Sequence, residues 1–240
     1  MHIRYRFALT GGGVKEFDLT LDPASLALMN PAPEPLPEWT RLGNRKCSIC
    51  PLNEQEHPHC PIAANLAGVI EEFKDSISFH EAEISIFTEA REFRKKAALQ
   101  EGISGLVGIV MVTSGCPILD KLRPMVRLHL PFPETIETMY RAISMYLMAQ
   151  FFVYKRGRQP DWDLKHLVDI YNAVSAVNRD FVKRLKTIKL QDASLNALVS
   201  LDCFAAVTVI SILDDSLQEI ENLFSAYLPA APQAAPAPRT

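Results

Sequence analysis

Polar and apolar residues alternate over residues 2–9, H-I-R-Y-R-F-A-L, the period of a half-buried strand. Gly11-Gly12-Gly13 supplies a turn, and the alternation resumes from Val14 to Leu21, which predicts a β-hairpin. A second alternating run covers Ser78 to Thr88, with Phe79, Ala82, Ile84 and Ile86 as its apolar members. A shorter one covers Arg91 to Ala97. The two pairs together predict one small antiparallel sheet of four strands.

The remaining periodicity is helical. Ile62, Leu66, Val69, Ile70 and Phe73 share one face of a helix whose first turn is Cys60-Pro61, where proline is tolerated and the free N–H groups favour a thiolate. Leu99 to Thr113 is apolar with three glycines and suits a helix or a buried strand; we favour the helix, ended by Gly115 and Pro117. Leu122 to Pro133 holds three prolines and predicts an irregular crossing. Glu134 to Tyr154 is apolar on two faces, through Ile143, Leu147 and Phe151 on one and Met145, Met148 and Phe152 on the other, which predicts a centrally buried helix. Asp161 is positioned to cap a helix reaching Leu185, and Asp192 to cap a last one that breaks near Asp214-Asp215-Ser216.

These elements describe an α+β domain: a small antiparallel sheet plus a cysteine-rich metal-binding segment, packed on a bundle of long C-terminal helices. Residues 1–228 form a single domain in this reading. Residues 1–28 are the hairpin, 29–46 a proline-rich connector, 47–61 the cysteine segment and 62–228 the sheet and helical body. The Pro/Ala-rich residues 229–240 are expected to be a disordered tail.

Charge removes some function classes. With a net charge of −3 over 240 residues and no basic block, the chain lacks the footprint of a nucleic-acid binder. Met1 to Arg6 lacks the apolar run of a signal peptide, which points to the cytoplasm. Leu195 to Leu213 is nearly all apolar, but Asp202 near its centre would be costly in a bilayer; a buried core helix is expected rather than a membrane span. The triple glycine lacks the G-K-[ST] ending of a phosphate loop.

The densest chemistry lies in Cys47 to Pro61, C-S-I-C-P-L-N-E-Q-E-H-P-H-C-P. A C-x2-C pair puts two thiolates on one side of a tight turn, the right separation for one metal ion. Cys60 adds a third and Cys116, in Ser114-Gly115-Cys116-Pro117, a fourth. Four thiolates suit tetrahedral zinc, the leading expectation, or a 4Fe-4S cluster. A redox thiol pair and plain reduced cysteines are the competing readings. His57 or His59 could replace one thiolate, but with Cys116 in place both fall back to supporting or solvent roles. Cys203, in an apolar helix, reads as a small buried hydrophobe.

A second constellation follows Cys116. Arg123 and Arg127 could pair with an anionic ligand, His129 could act as acid or base, and Glu137 and Arg141 stand at i,i+4. Salt bridges that fix an irregular segment explain the same residues more economically than a ligand site. Asn178 and Asp202 fall on inner helix faces, where a polar pair can set register.

Several motifs together, Cys47-Ser48-Ile49-Cys50-Pro51-Leu52, Cys60-Pro61-Ile62-Ala63, Ser114-Gly115-Cys116-Pro117, Leu122-Arg123-Pro124-Met125 and His129-Leu130-Pro131-Phe132, resemble an uncharacterised bacterial family, a domain of unknown function. The resemblance implies one coherent domain from the cysteine segment to the last helix and no particular activity. From the residues, the leading expectation is a non-catalytic cytosolic protein whose four-cysteine zinc site supports a binding surface or pocket, for a protein or small-molecule partner. An iron–sulfur redox or electron-transfer protein is the alternative, and a small-molecule enzyme using His129 and the neighbouring arginines the second. A homo-oligomer is compatible with either.

Overall fold

Strands β1 (His2–Leu9), β2 (Val14–Thr20), β3 (Glu81–Thr88) and β4 (Glu92–Ala98) form one antiparallel sheet in the order β2-β1-β3-β4. The computed structural model describes residues 1–228, and the expected disordered tail lies outside them. The alternation sets the faces. Ile3, Tyr5 and Phe7 point into the core, and so do Ile84 and Ile86, which pair across with Phe7 and Tyr5. Arg4 and Arg6 take the open face, in ion pairs with Asp18 and Glu16 of β2. The edge strand β4 carries Lys95 and Lys96, a charged edge that discourages further pairing.

Helices α1 (Pro61–Phe73) and α2 (Leu99–Thr113) lie between this sheet and the other helices. Phe73 of α1 meets Phe7 edge-on at 5.1 Å between ring centroids. Helix α2 comes closer still. A β-carbon at Gly102 would sit 2.6 Å from Phe7 Cε1 and 2.8 Å from Ile84 Cδ1, so only glycine lets the helix backbone rest on the strands. A left-handed Gly115 then ends the turn after α2.

Beyond α2 the chain runs through 3-10 turns at Leu119–Leu128 to α3 (Thr135–Lys155), α4 (Lys165–Leu185), α5 (Ala193–Leu213) and α6 (Gln218–Asn222). Helix α5 packs between α2 and α4, and α3 leans on the 3-10 turns and α5. Glu134 and Glu137 close a capping box at the start of α3.

Several expectations change. Strand β3 starts at Glu81 rather than Ser78, and Phe79 stands out in solvent at 70% exposure, because Ser78 is held in a turn by Asp192. The Asp192 carboxylate is thus used on Ser78 and makes no cap bond to α5. Leu122 to Leu128 is helical, since the φ that Pro124 imposes also suits 3-10 turns. Asp161 does feed the start of α4, accepting from the His166 N–H at 2.8 Å, although the helix begins only at Lys165.

Helix α3 is not central. Of its residues only Met139, Ala142, Ile143 and Tyr146 are buried, while Met148, Phe151, Phe152 and Tyr154 are exposed. Helix α5 is likewise covered on one side only, with Ile210 and Leu213 exposed. It is long and apolar enough to cross a membrane by length and composition, and 28% of its most apolar window is buried. Cys203 is exposed on the uncovered side of α5, not buried.

Candidate functional site

The cysteine segment is held by main-chain pairing and by α4. The N–H of Cys60 donates to the Thr40 carbonyl at 2.8 Å, and that of Leu42 to the Pro58 carbonyl at 2.9 Å. A tight turn, closed by Cys50 N–H to Cys47 C=O at 3.0 Å, sets the C-x2-C pair. The Asp180 carboxylate on α4 accepts from Ser48 N–H and Oγ–H at 2.8 and 2.9 Å, pinning that turn. One helical turn later comes Arg184, 1% exposed. Its guanidinium donates to the carbonyls of Trp39 at 3.0 Å, Arg41 at 2.5 Å, Leu42 at 3.1 Å and Arg45 at 3.5 Å, and its buried Nε has no partner. Asp180 and Arg184 therefore clamp both the cysteine turn and the loop before it. Neither Asp180 nor Arg184 is among the candidate residues drawn from the sequence. The signal was an arginine three residues after Phe181 and beside Leu185, an inward position on α4.

Cys47, Cys50, Cys60 and Cys116 are all free thiols, Cys60 and Cys116 buried and the other two half-buried. They are near enough to act on one another's charge. Burial first, then Cys60, Asp180 and Cys50, push the Cys47 thiol up to about 12, and Arg184 pulls it back. Burial raises Cys116 as well, opposed by hydrogen bonds from the Leu119 and Ile118 N–H groups, with Cys60 and Cys50 adding to the rise. The four cysteines thus share one region, with the distant Cys116 among them.

An all-sulfur donor set suits zinc or an iron–sulfur cluster. The Leu119 and Ile118 N–H groups favour a thiolate at Cys116, and Arg184 favours one at Cys47. The side chains themselves stop short of a ligand set. Among the described residues no three His, Cys, Asp or Glu side chains converge closely enough to hold a metal ion, so the expected cysteine-rich metal-binding segment finds no support in the side-chain positions. His59 hydrogen-bonds Thr40 at 2.7 Å and His57 is exposed, so neither joins the thiols.

Beside this region lies a cavity of about 410 Å³ among α2, the 3-10 turns, α3, α4 and α5. Leu119, three residues after Cys116, and Asn178, two before Asp180, both line it, so the thiol region and the cavity share a turn and a helix. Its walls are mostly apolar, with Gly108, Ile109, Val126, Leu201 and Phe204 prominent. Lys95 and Glu101, paired at 2.8 Å, also line it, and Lys95 lies over the Phe132 ring.

The polar groups come chiefly from three elements. His129, at the end of the 3-10 turns, shares a 2.7 Å hydrogen bond with Tyr5 of β1. A β-carbon at Gly105 would lie 2.8 Å from that Tyr5 oxygen, so the glycine leaves room for the link. Burial, aided by Arg141, lowers the imidazole to about 3 and keeps it neutral at physiological pH. Arg141 of α3 donates to the Met125 carbonyl at 3.2 Å, and its buried Nε has no partner. One turn earlier, the buried Thr138 Oγ1 is also unpartnered. Tyr171 of α4 completes the group.

The expected ligand residues separate. His129 and Arg141 line the cavity, whereas Arg123 pairs with Asp120 at 3.0 Å and Arg127 is exposed, and neither lines it. The expected Glu137–Arg141 ion pair does not form, because Glu137 accepts from the Glu134 N–H at 2.8 Å to close the α3 cap. Asp202 bonds Ser175 rather than Asn178.

No curated protein and no solved structure matches the chain. A family model does, over residues 3–225, nearly the whole of the described chain, and it is an uncharacterised family as expected. The chain belongs to the family described as domain of unknown function DUF6901.

Proposed function

We propose that the protein is a non-catalytic binding protein whose cavity takes a small, mostly apolar molecule. In this reading Cys47, Cys50, Cys60 and Cys116 hold a zinc ion that locks the 39–60 loop to α4 and to the end of α2. The observation that carries the reading is the cavity: apolar walls, a volume within the ~300–1,000 Å³ of small-molecule sites, and buried polar atoms left without partners. Zinc with four thiolates has no open position for water, so its part would be structural. A His129 held neutral down to about pH 3 is a poor general base, which favours binding over catalysis. The free thiols accord with a reducing compartment such as the cytoplasm.

An iron–sulfur cluster on the same thiols is the second reading, favoured by the all-sulfur donor set. Anaerobic purification followed by visible absorption and metal analysis separates the two. Colourless protein with stoichiometric zinc supports the clamp, and brown protein with iron and sulfide supports the cluster. Metal-free protein that stays folded after all four cysteines become serine removes both. For the cavity, Gly108→Leu fills space that faces Leu201 and should abolish binding of a neutral apolar fluorescent probe. Unchanged probe binding in that variant would place the site elsewhere.

A further inference from the structure

The geometry points to a ligand of one chemical class: a medium-length apolar molecule ending in a single carboxylate, held by Arg141. The inference rests on the cavity being a binding site and adds the charge and shape of what enters it.

Among the described residues Arg141 is the only guanidinium lining the cavity, and no carboxylate lies within ion-pair distance of it. Both nearby candidates are committed. Glu137, one turn before it, serves the α3 cap, and Glu134 takes the other half of the same capping box. Glu101, also on the cavity wall, is paired with Lys95. Burial draws the guanidinium down from its ordinary range, with Tyr171 and Glu137 opposing, yet no carboxylate comes close enough to pair with it. A buried charge is normally paired, and here the space in which a partner would stand is the cavity.

The neighbouring groups fit a carboxylate. Arg141 Nε and Thr138 Oγ1, one turn apart on α3, are buried donors with nothing to donate to. Tyr171 lies close enough for its charge state to couple to Arg141, and its hydroxyl makes only a 3.9 Å contact with Met125 Sδ. His129 is neutral and already bonded to Tyr5, so it adds no second positive charge. One guanidinium with hydroxyls balances a monoanion, whereas a phosphate dianion would bring more charge than this cluster offsets. Gly108, Ile109, Leu201 and Phe204 offer no hydrogen bonds from their side chains and suit a hydrocarbon, although Ser104, Glu134, Asn178 and Ser200 also reach the lining. At roughly 30 Å³ per water-sized atom, 410 Å³ holds about 14 such atoms.

The test is calorimetric titration of the full chain, as purified, with four ten-carbon probes: decanoate, decanol, decylamine and decyl phosphate, each below its micellar concentration. Decanoate should bind about tenfold to a hundredfold more tightly than decanol, the range a charge-assisted hydrogen bond contributes. Decylamine should bind more weakly than decanol. Arg141→Gln should bring decanoate to the affinity of decanol in the same variant, and an unchanged circular dichroism spectrum shows that the variant is folded. Equal affinity for decanoate and decanol, or tightest binding of decyl phosphate, overturns the carboxylate assignment while leaving the cavity a binding site. Absence of binding by all four probes overturns both.

Discussion

Replacing Arg184 with methionine is the most informative perturbation of the clamp. The side chain is fully buried and among the described residues no carboxylate pairs with it, so its stability comes from the carbonyls of Trp39, Arg41 and Leu42 at 2.5–3.1 Å, with Arg45 at the limit of contact. Hydrogen bonds to a charged group contribute ~1.5–3 kcal/mol each. Three of them at the lower value give about 4.5 kcal/mol. Methionine keeps most of the packing volume and removes the desolvation cost of the charge, which returns part of that sum. It also leaves the three carbonyls buried without donors. The net loss should be ~3 kcal/mol, near the range for breaking a buried charged network. At ~2–4 °C per kcal/mol for a chain of this size, Tm should fall by roughly 6–12 °C. Arg184→Lys should recover little, because an ammonium cannot reach divergent carbonyls as a planar fork does. Urea denaturation followed by circular dichroism measures the loss. Native-state alkylation of Cys47 and Cys50 should speed up in parallel as the loop loosens. A methionine variant within ~1 kcal/mol of the wild type, with unchanged alkylation, would refute the clamp.

Other outcomes follow from the same geometry. His129 is about 3 in the folded chain against ~6.5 unfolded, so the unfolded state binds more protons between those values and stability must fall as pH drops through that window, by up to ~1.4 kcal/mol per pH unit. His129→Gln should flatten the urea midpoint between pH 6.5 and 4, and equal slopes in both proteins would contradict a neutral buried imidazole. Brief iodoacetamide treatment at pH 8 should label Cys203 first by mass spectrometry, since it is exposed whereas burial raises Cys47 and Cys116; early labelling of Cys116 would count against the packing at the end of α2. Phe181→Ala should cost ~3–5 kcal/mol and Phe151→Ala under ~1 kcal/mol, and comparable losses would mean that α3 is covered in solution.

The local elements were legible from the chain, and the reason is local physics. Alternation over residues 2–9 has one register that buries Ile3, Tyr5 and Phe7, and the structure uses it. The limits of α1 and α2 follow from Cys60-Pro61 and Gly115, whose backbone preferences act within one or two residues. The tight turn at Cys47 to Cys50 was legible too, because it needs only its own hydrogen bond.

Which face meets which neighbour was decided by tertiary packing alone. Apolar residues on both sides of α3 and α5 look the same in sequence whether or not another layer exists to cover them; here no described element covers Phe151, Phe152 or Ile210. The same holds for charge. Glu137 and Arg141 have the spacing of a pair, but the α3 cap claimed the carboxylate, and the arginine was left facing a cavity whose walls come from residues 95 to 205. Arg184 finds its carbonyl partners some 140 positions away. Sequence spacing reports what a residue can reach within its own element. Long-range competition for the same donor or acceptor is settled only when the elements meet.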